Sequence, residues 1–142
     1  MLLPKKVKFR KWHTGRRNAA KSANWVETRG TTLSFGSFGL KAVATARVRS
    51  NQLESARKVM SHYIGKTGKI WTRVFPDRPY TMKAAEVGMG KGKGDPQGYC
   101  FEVRPGRILF EIDGVTVESA KEALRKAGTK LPVKTRIVSR EI

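Results

Sequence analysis

A chain of 142 residues, 39% of them hydrophobic, is long enough for one domain that buries about two-thirds of its unfolded surface. Its 30 Lys and Arg stand against 11 Asp and Glu, and the formal charge of +19 is a self-repelling excess that a polyanion relieves, nucleic acid first among them. A single cysteine, Cys100, excludes an intrachain disulfide and fits a reducing compartment, two distant histidines give no zinc spacing, and no apolar run is long enough to cross a bilayer.

Residues 1–24 contain eight Lys or Arg and no acid. Lys5, Lys6, Lys8, Arg10, Lys11, Arg16, Arg17 and Lys21 offer phosphate contacts, and Phe9 and Trp12 among them can stack on unpaired bases or pack onto the domain. The segment reads as an RNA-binding arm, because a solvated tail has little need of two large rings. Its opening Met-Leu-Leu-Pro-Lys-Lys lacks the apolar stretch of a secretory signal, and the acid-free start is compatible with a bacterial or an organellar protein. Residues 19–32 are polar apart from Trp25 and Val26 and end in Arg29-Gly30, a loop from arm to domain.

Residues 33–39 can bend at Gly36 and Gly39, and 40–48 read as a continuing strand with Arg47 and Arg49 on one side. From Ser50 the apolar period lengthens, and Leu53, Ala56, Met60 and Ile64 predict an amphipathic helix capped by Gly65, with Arg57 and Lys58 on its other face. Lys66 and Lys69 follow at the negative end of its dipole. Residues 69–75 form a strand that Pro76-Asp77-Arg78-Pro79 terminates.

The long loop 79–98 contains Gly88-Met89-Gly90-Lys91-Gly92-Lys93-Gly94. No packed element favours that composition: glycine lets the backbone approach another surface and exposes its N–H groups, while Lys91 and Lys93 supply ammonium groups. It is neither a P-loop, since no Ser or Thr follows either lysine, nor a dinucleotide fingerprint, since frames from Gly88 and Gly90 meet Lys93 and Asp95 where glycine is required. Residues 99–104 and 107–112 read as a hairpin around Pro105-Gly106, with Tyr99, Phe101 and Val103 on one face and Cys100 packed on the other. Thr116 caps a second helix over 117–127, striped by Val117, Ala120, Leu124 and Ala127 and stopped by Gly128, and 131–138 makes a last strand.

The expected fold is therefore α+β, a mainly antiparallel sheet with two helices on one face. The basic extension 1–24 precedes a single RNA-binding domain 25–142, from which loop 79–98 projects. Residues 1–97 hold 21 basic and 5 acidic residues, a net +16, so the polyanion-facing side is built mainly by the first two-thirds.

Six ordered blocks carry a family resemblance: Lys8-Phe9-Arg10-Lys11, the run from Ser34 to Ala42, Gly68-Lys69-Ile70-Trp71, Arg73-Val74-Phe75-Pro76-Asp77, Met89 to Gly94, and Lys130-Leu131-Pro132. Together they resemble the bacterial-type large-subunit ribosomal protein sixteen family across nearly the whole chain. The resemblance implies a structural component of the large subunit, on bacterial or alternatively organellar ribosomes. It also implies binding to large-subunit rRNA near the base of the central protuberance, contact with A-site tRNA near the peptidyl transferase region, and neighbouring ribosomal proteins. No cofactor, metal, membrane or small-molecule substrate is expected. The candidate rRNA contacts are Lys5, Lys6, Lys8, Arg10, Lys11, Trp12, Arg16, Arg17, Lys41, Arg47 and Arg49, and the loop Met89, Gly90, Lys91, Gly92, Lys93 and Gly94 faces rRNA or tRNA. Gly88 departs from the family, where many bacterial members carry an arginine that some hydroxylate, and the stretch between Arg17 and Leu33 is longer than the common bacterial form.

Two other function classes compete. An RNA-acting enzyme could use His13 or His62 as base, but Asp77, Asp95 and Asp113 adjoin turns and no cluster of catalytic groups is visible, so no catalytic residue is assigned. A free basic chaperone or DNA-compacting protein satisfies the charge but does not require the six blocks.

Overall fold

The computed structural model describes residues 1–14, 18–22 and 24–140. The two long helices form where periodicity and capping chemistry set them. Helix α2 (Ser50–Ile64) follows a four-residue helix α1 (Ala19–Ser22) and buries Leu53, Ala56, Met60 and Ile64. Gly65 ends α2 in the left-handed region at φ 65°, donating its N–H to the Ser61 carbonyl at 3.0 Å. Helix α3 (Val117–Gly128) starts at Thr116, whose hydroxyl accepts from the Ser119 N–H at 3.3 Å. Val117, expected on its buried stripe, is 48% exposed, and Ala123 is buried with Ala120, Leu124 and Ala127.

Among the described residues seven strands make two antiparallel sheets: β1 (Phe38–Ala42), β2 (Ala46–Arg49), β3 (Lys69–Thr72), β4 (Arg78–Met82), β5 (Asp95–Val103), β6 (Ile108–Asp113) and β7 (Thr135–Ser139). The first sheet has the order β3-β6-β1-β7 and the second β2-β5-β4. The helices pack on each other, with α3 against β1 and β7 and α2 against β2, β3 and β5. One core joins Leu40, Phe110 and Ile112 of the first sheet to Val48 and Val103 of the second.

Three local readings change. The strand expected over 40–48 breaks at Val43–Thr45, so that β1 and β2 enter different sheets. The turn at Pro105-Gly106 forms, with Gly106 at φ 99° and the Arg107 N–H donating to Arg104 O at 3.2 Å, but its two arms, β5 and β6, also part. Ala42 lies at both breaks: its N–H donates to Arg107 O at 2.9 Å, taking the carbonyl that a hairpin would have paired with Arg104 N, and its carbonyl accepts from Gly106 N at 2.8 Å. Third, Arg78–Met82 is a strand in spite of Pro79, because β4 is the edge of its sheet and a missing donor there breaks no ladder. Since β4 pairs with β5, the part of 79–98 without strand pairing is 83–94.

The long connection before the domain packs on that same turn. Glu27 N–H donates to Pro105 O at 2.9 Å, Arg107 donates to Arg29 O at 3.2 Å, and the Arg104 guanidinium lies 5.1 Å from the Trp25 ring centroid. Trp25 thereby acquires a partner that local sequence did not indicate.

Candidate nucleic-acid interface

The glycine loop is held in a conformation that its composition makes accessible. Gly90, Lys91 and Gly92 all have positive φ, at 91°, 59° and 99°, so two of three consecutive left-handed positions carry the residue that adopts them without strain. A Cβ at Gly88, Gly90 or Gly92 would meet nothing within 4 Å, whereas one at Gly94 would lie 2.7 Å from the Met82 carbonyl group. Gly94 thus serves the closing of the β4–β5 stem, and Gly88 satisfies no packing requirement in the chain. The Lys83 ammonium donates to Gly90 O, bracing the tip from its base. Met89 stands 98% exposed, and Lys91 is exposed without a hydrogen-bond or ion-pair partner among the described residues.

The basic arm runs to this loop. Met1 lies at the start of α2, its sulfur 3.7 Å from the Ser50 hydroxyl, and the Lys11–Thr14 end reaches the second sheet and the glycines. There two lysines each donate to a backbone carbonyl of the facing segment: Lys11 Nζ to Lys93 O at 3.2 Å, and Lys93 Nζ to Trp12 O. Arg78 of β4 supports the same segment. Its guanidinium sits 5.4 Å from the Trp12 ring centroid, donates to Thr14 Oγ1 at 3.4 Å and pairs with Glu102 at 3.3 Å. Arg78 escaped the sequence reading because Pro76 and Pro79 mark a turn; an arginine between prolines on an edge strand was the available signal.

The structure brings some of the sequence-predicted residues together and separates others. Lys5, Lys6, Lys8 and Arg10 are exposed along the arm, with the Lys8 ammonium 5.5 Å from the Phe9 ring centroid. Arg16 and Arg17 lie outside the described residues. Arg47 and Arg49 project from β2 on the face that also carries Arg78 and Glu102; Arg47 pairs with Glu102 at 3.2 Å, and the Arg49 guanidinium lies 4.9 Å from the Tyr80 ring centroid. Cys100 is buried beneath these arginines, and burial pushes its thiol above the ordinary value. Lys41 belongs elsewhere: it is on β1 of the first sheet, opposite Arg136 of β7, which with Arg140 makes a separate basic edge that the sequence reading did not single out.

His13 and His62 are both exposed, and among the described residues no group of three or more His, Cys, Asp or Glu could hold a metal ion. Among the described residues no helix is long and apolar enough to cross a membrane.

Comparison with known proteins gives a family. The family model described as Ribosomal protein L16p/L10e matches residues 4–138. Proteins named Large ribosomal subunit protein uL16 from Rhodopseudomonas palustris (strain BisB18), Nitrobacter hamburgensis and Nitrobacter winogradskyi are each 51% identical to the chain over 140 residues, covering 99% of it and 98% of the relative.

Proposed function

The chain belongs to the ribosomal protein L16p/L10e family, whose members are structural components of the large ribosomal subunit and not enzymes, and on that premise we propose that it binds large-subunit rRNA and reaches the A-site tRNA. In this reading residues 1–24 are an RNA-binding extension of the domain 25–142. Lys5, Lys6, Lys8, Arg10, Lys11, Arg16 and Arg17 neutralise rRNA phosphates, joined by Arg47 and Arg49 from β2 and by Lys41 from the other sheet. Trp12 orients the arm, and Met89 to Gly94 approach rRNA or tRNA backbone. The protein performs no chemistry; it supplies counter-charge and close backbone approach.

The observation that carries this reading is the pair of bonds from Lys11 Nζ to Lys93 O and from Lys93 Nζ to Trp12 O, which joins arm and glycine loop into one cationic surface with Lys91 unpaired at its tip among the described residues. An ammonium that donates to an exposed backbone carbonyl exchanges it readily for a phosphate oxygen, because both states are solvated. Large subunits carrying Lys91→Ala with Lys93→Ala test the assignment. A-site tRNA affinity is expected to fall about tenfold while the isolated protein keeps its stability within about 0.5 kcal/mol. Unchanged A-site binding would remove the loop from the tRNA contact. A salt wash of the wild-type particles separates an integral component, which stays on the large subunit, from a loosely held factor.

A further inference from the structure

A second cluster, on the first sheet, has the construction of a binding platform. Alternation along β3 and its continuation sends Ile70 and Val74 into the core and Lys69, Trp71, Arg73 and Phe75 to the other side. The ladder persists past Thr72, since the Arg73 N–H donates to Leu109 O at 2.9 Å. Over this row lies Phe35, stacked on Trp71 with ring centroids 6.0 Å apart and planes 18° from parallel, and with the Arg73 guanidinium 5.1 Å from its centroid. Phe35 is nevertheless 55% exposed, and Phe75 is 42% exposed. With both neighbours in place, more than half of the Phe35 side chain stays open to solvent.

The exposed ring is fixed from below by a fully buried carboxylate. Glu111 Oε1 accepts the backbone N–H groups of Ser34, Phe35 and Gly36 at 2.7, 3.1 and 3.3 Å, and Oε2 accepts from Arg73 at 2.6 Å. Burying a charge is unfavourable unless all its partners are present. Here the result of that burial is to hold a solvent-facing phenyl ring and a guanidinium in fixed relation, which packing alone does not require and ligand stacking does.

We propose that Phe35, Trp71 and Arg73 form a stacking platform for an unpaired RNA base, with Lys69 placed for an adjacent phosphate and Phe75 extending the row. The proposal rests on the RNA-binding reading above and adds a site that the arm and glycine loop do not include. Alternation of ring and cation favours RNA over an apolar protein segment, because a base offers a π-face to the rings while its backbone meets the ammonium. Lys69 is exposed and makes no ion pair among the described residues, so its charge is available.

The test is binding of a short single-stranded RNA oligonucleotide to the full-length protein, followed by fluorescence anisotropy across a salt series. Phe35→Ala keeps the backbone bonds to Glu111, and it is expected to weaken binding about five- to a hundredfold with the salt slope unchanged, since stacking releases no counterions. Phe35→Trp is expected to restore affinity, and Phe75→Ala to lower it independently. Affinity within about twofold of wild type in Phe35→Ala, while Lys91→Ala with Lys93→Ala still weakens binding, overturns the platform and leaves the RNA reading intact. A flattened salt slope in Phe35→Ala also overturns it. Loss of Phe35→Ala protein from salt-washed large subunits with unchanged oligonucleotide binding assigns the surface to a protein neighbour instead. A wild-type chain that binds no RNA fails the broader reading itself.

Discussion

Glu111 and Lys93 each tie a distant segment to the domain, and they do so on opposite sides of the water boundary. Glu111 is inaccessible and gathers Arg73 and three backbone N–H groups around one carboxylate. Lys93 is exposed and holds the arm through a backbone carbonyl. A buried charge has no alternative partner, so its bonds are part of the folding energy; an exposed one trades partners with little change in free energy. The first arrangement therefore fixes structure, and the second keeps charge available to a polyanion.

Removing the buried partner gives the largest expected effect. Arg73→Ala leaves Glu111 without its counter-charge and should lower stability by about 3 to 5 kcal/mol in urea denaturation. A loss under about 1 kcal/mol would mean that water reaches the carboxylate and that the contrast with Lys93 is one of degree.

The pH dependence sharpens the same point. Burial by itself raises the Glu111 carboxyl, but the Arg73 guanidinium and the N–H groups of Phe35, Ser34 and Gly36 outweigh it and hold the group below its ordinary value of 4.5. In acid the unfolded chain then binds the proton first. The stabilisation is present in full above the ordinary value and is lost as pH falls through the lower native one. Glu111→Gln should flatten this acid limb of the stability profile; an unaltered limb would assign it to other carboxylates.

Glycine substitutions make the comparison by backbone. A Cβ at Gly36 would lie 2.7 Å from Ile112 O, a backbone atom that cannot step aside, and Gly36→Ala should lose about 1 to 3 kcal/mol. At Gly88, where a Cβ meets nothing within 4 Å and φ is not positive, Gly88→Ala should change thermal stability by no more than about 0.5 kcal/mol. If Gly88→Ala were as costly as Gly36→Ala, the loop would be packed in a way its open surroundings do not indicate.

The sequence by itself determined what depends on near neighbours. The spacing of Leu53, Ala56, Met60 and Ile64, the caps at Gly65 and Thr116, and the turn at Gly106 are all satisfied within a few residues, and all appear in the fold. So do the charge bias and the left-handed freedom at Gly90 and Gly92, while the six blocks pointed to the family. Tertiary structure alone decided which strands pair. Ala42 comes between the arms of the expected hairpin, so β5 and β6 enter different sheets, and no local pattern encodes a contact across more than sixty residues. The same limit hid Glu111, which reads as one acid in an apolar strand until Ser34 to Gly36 and Arg73 converge on it, and hid Arg78 beneath Trp12. Periodicity records which face of an element is apolar; which distant group completes a buried charge or a stacked ring is set only when the chain closes on itself.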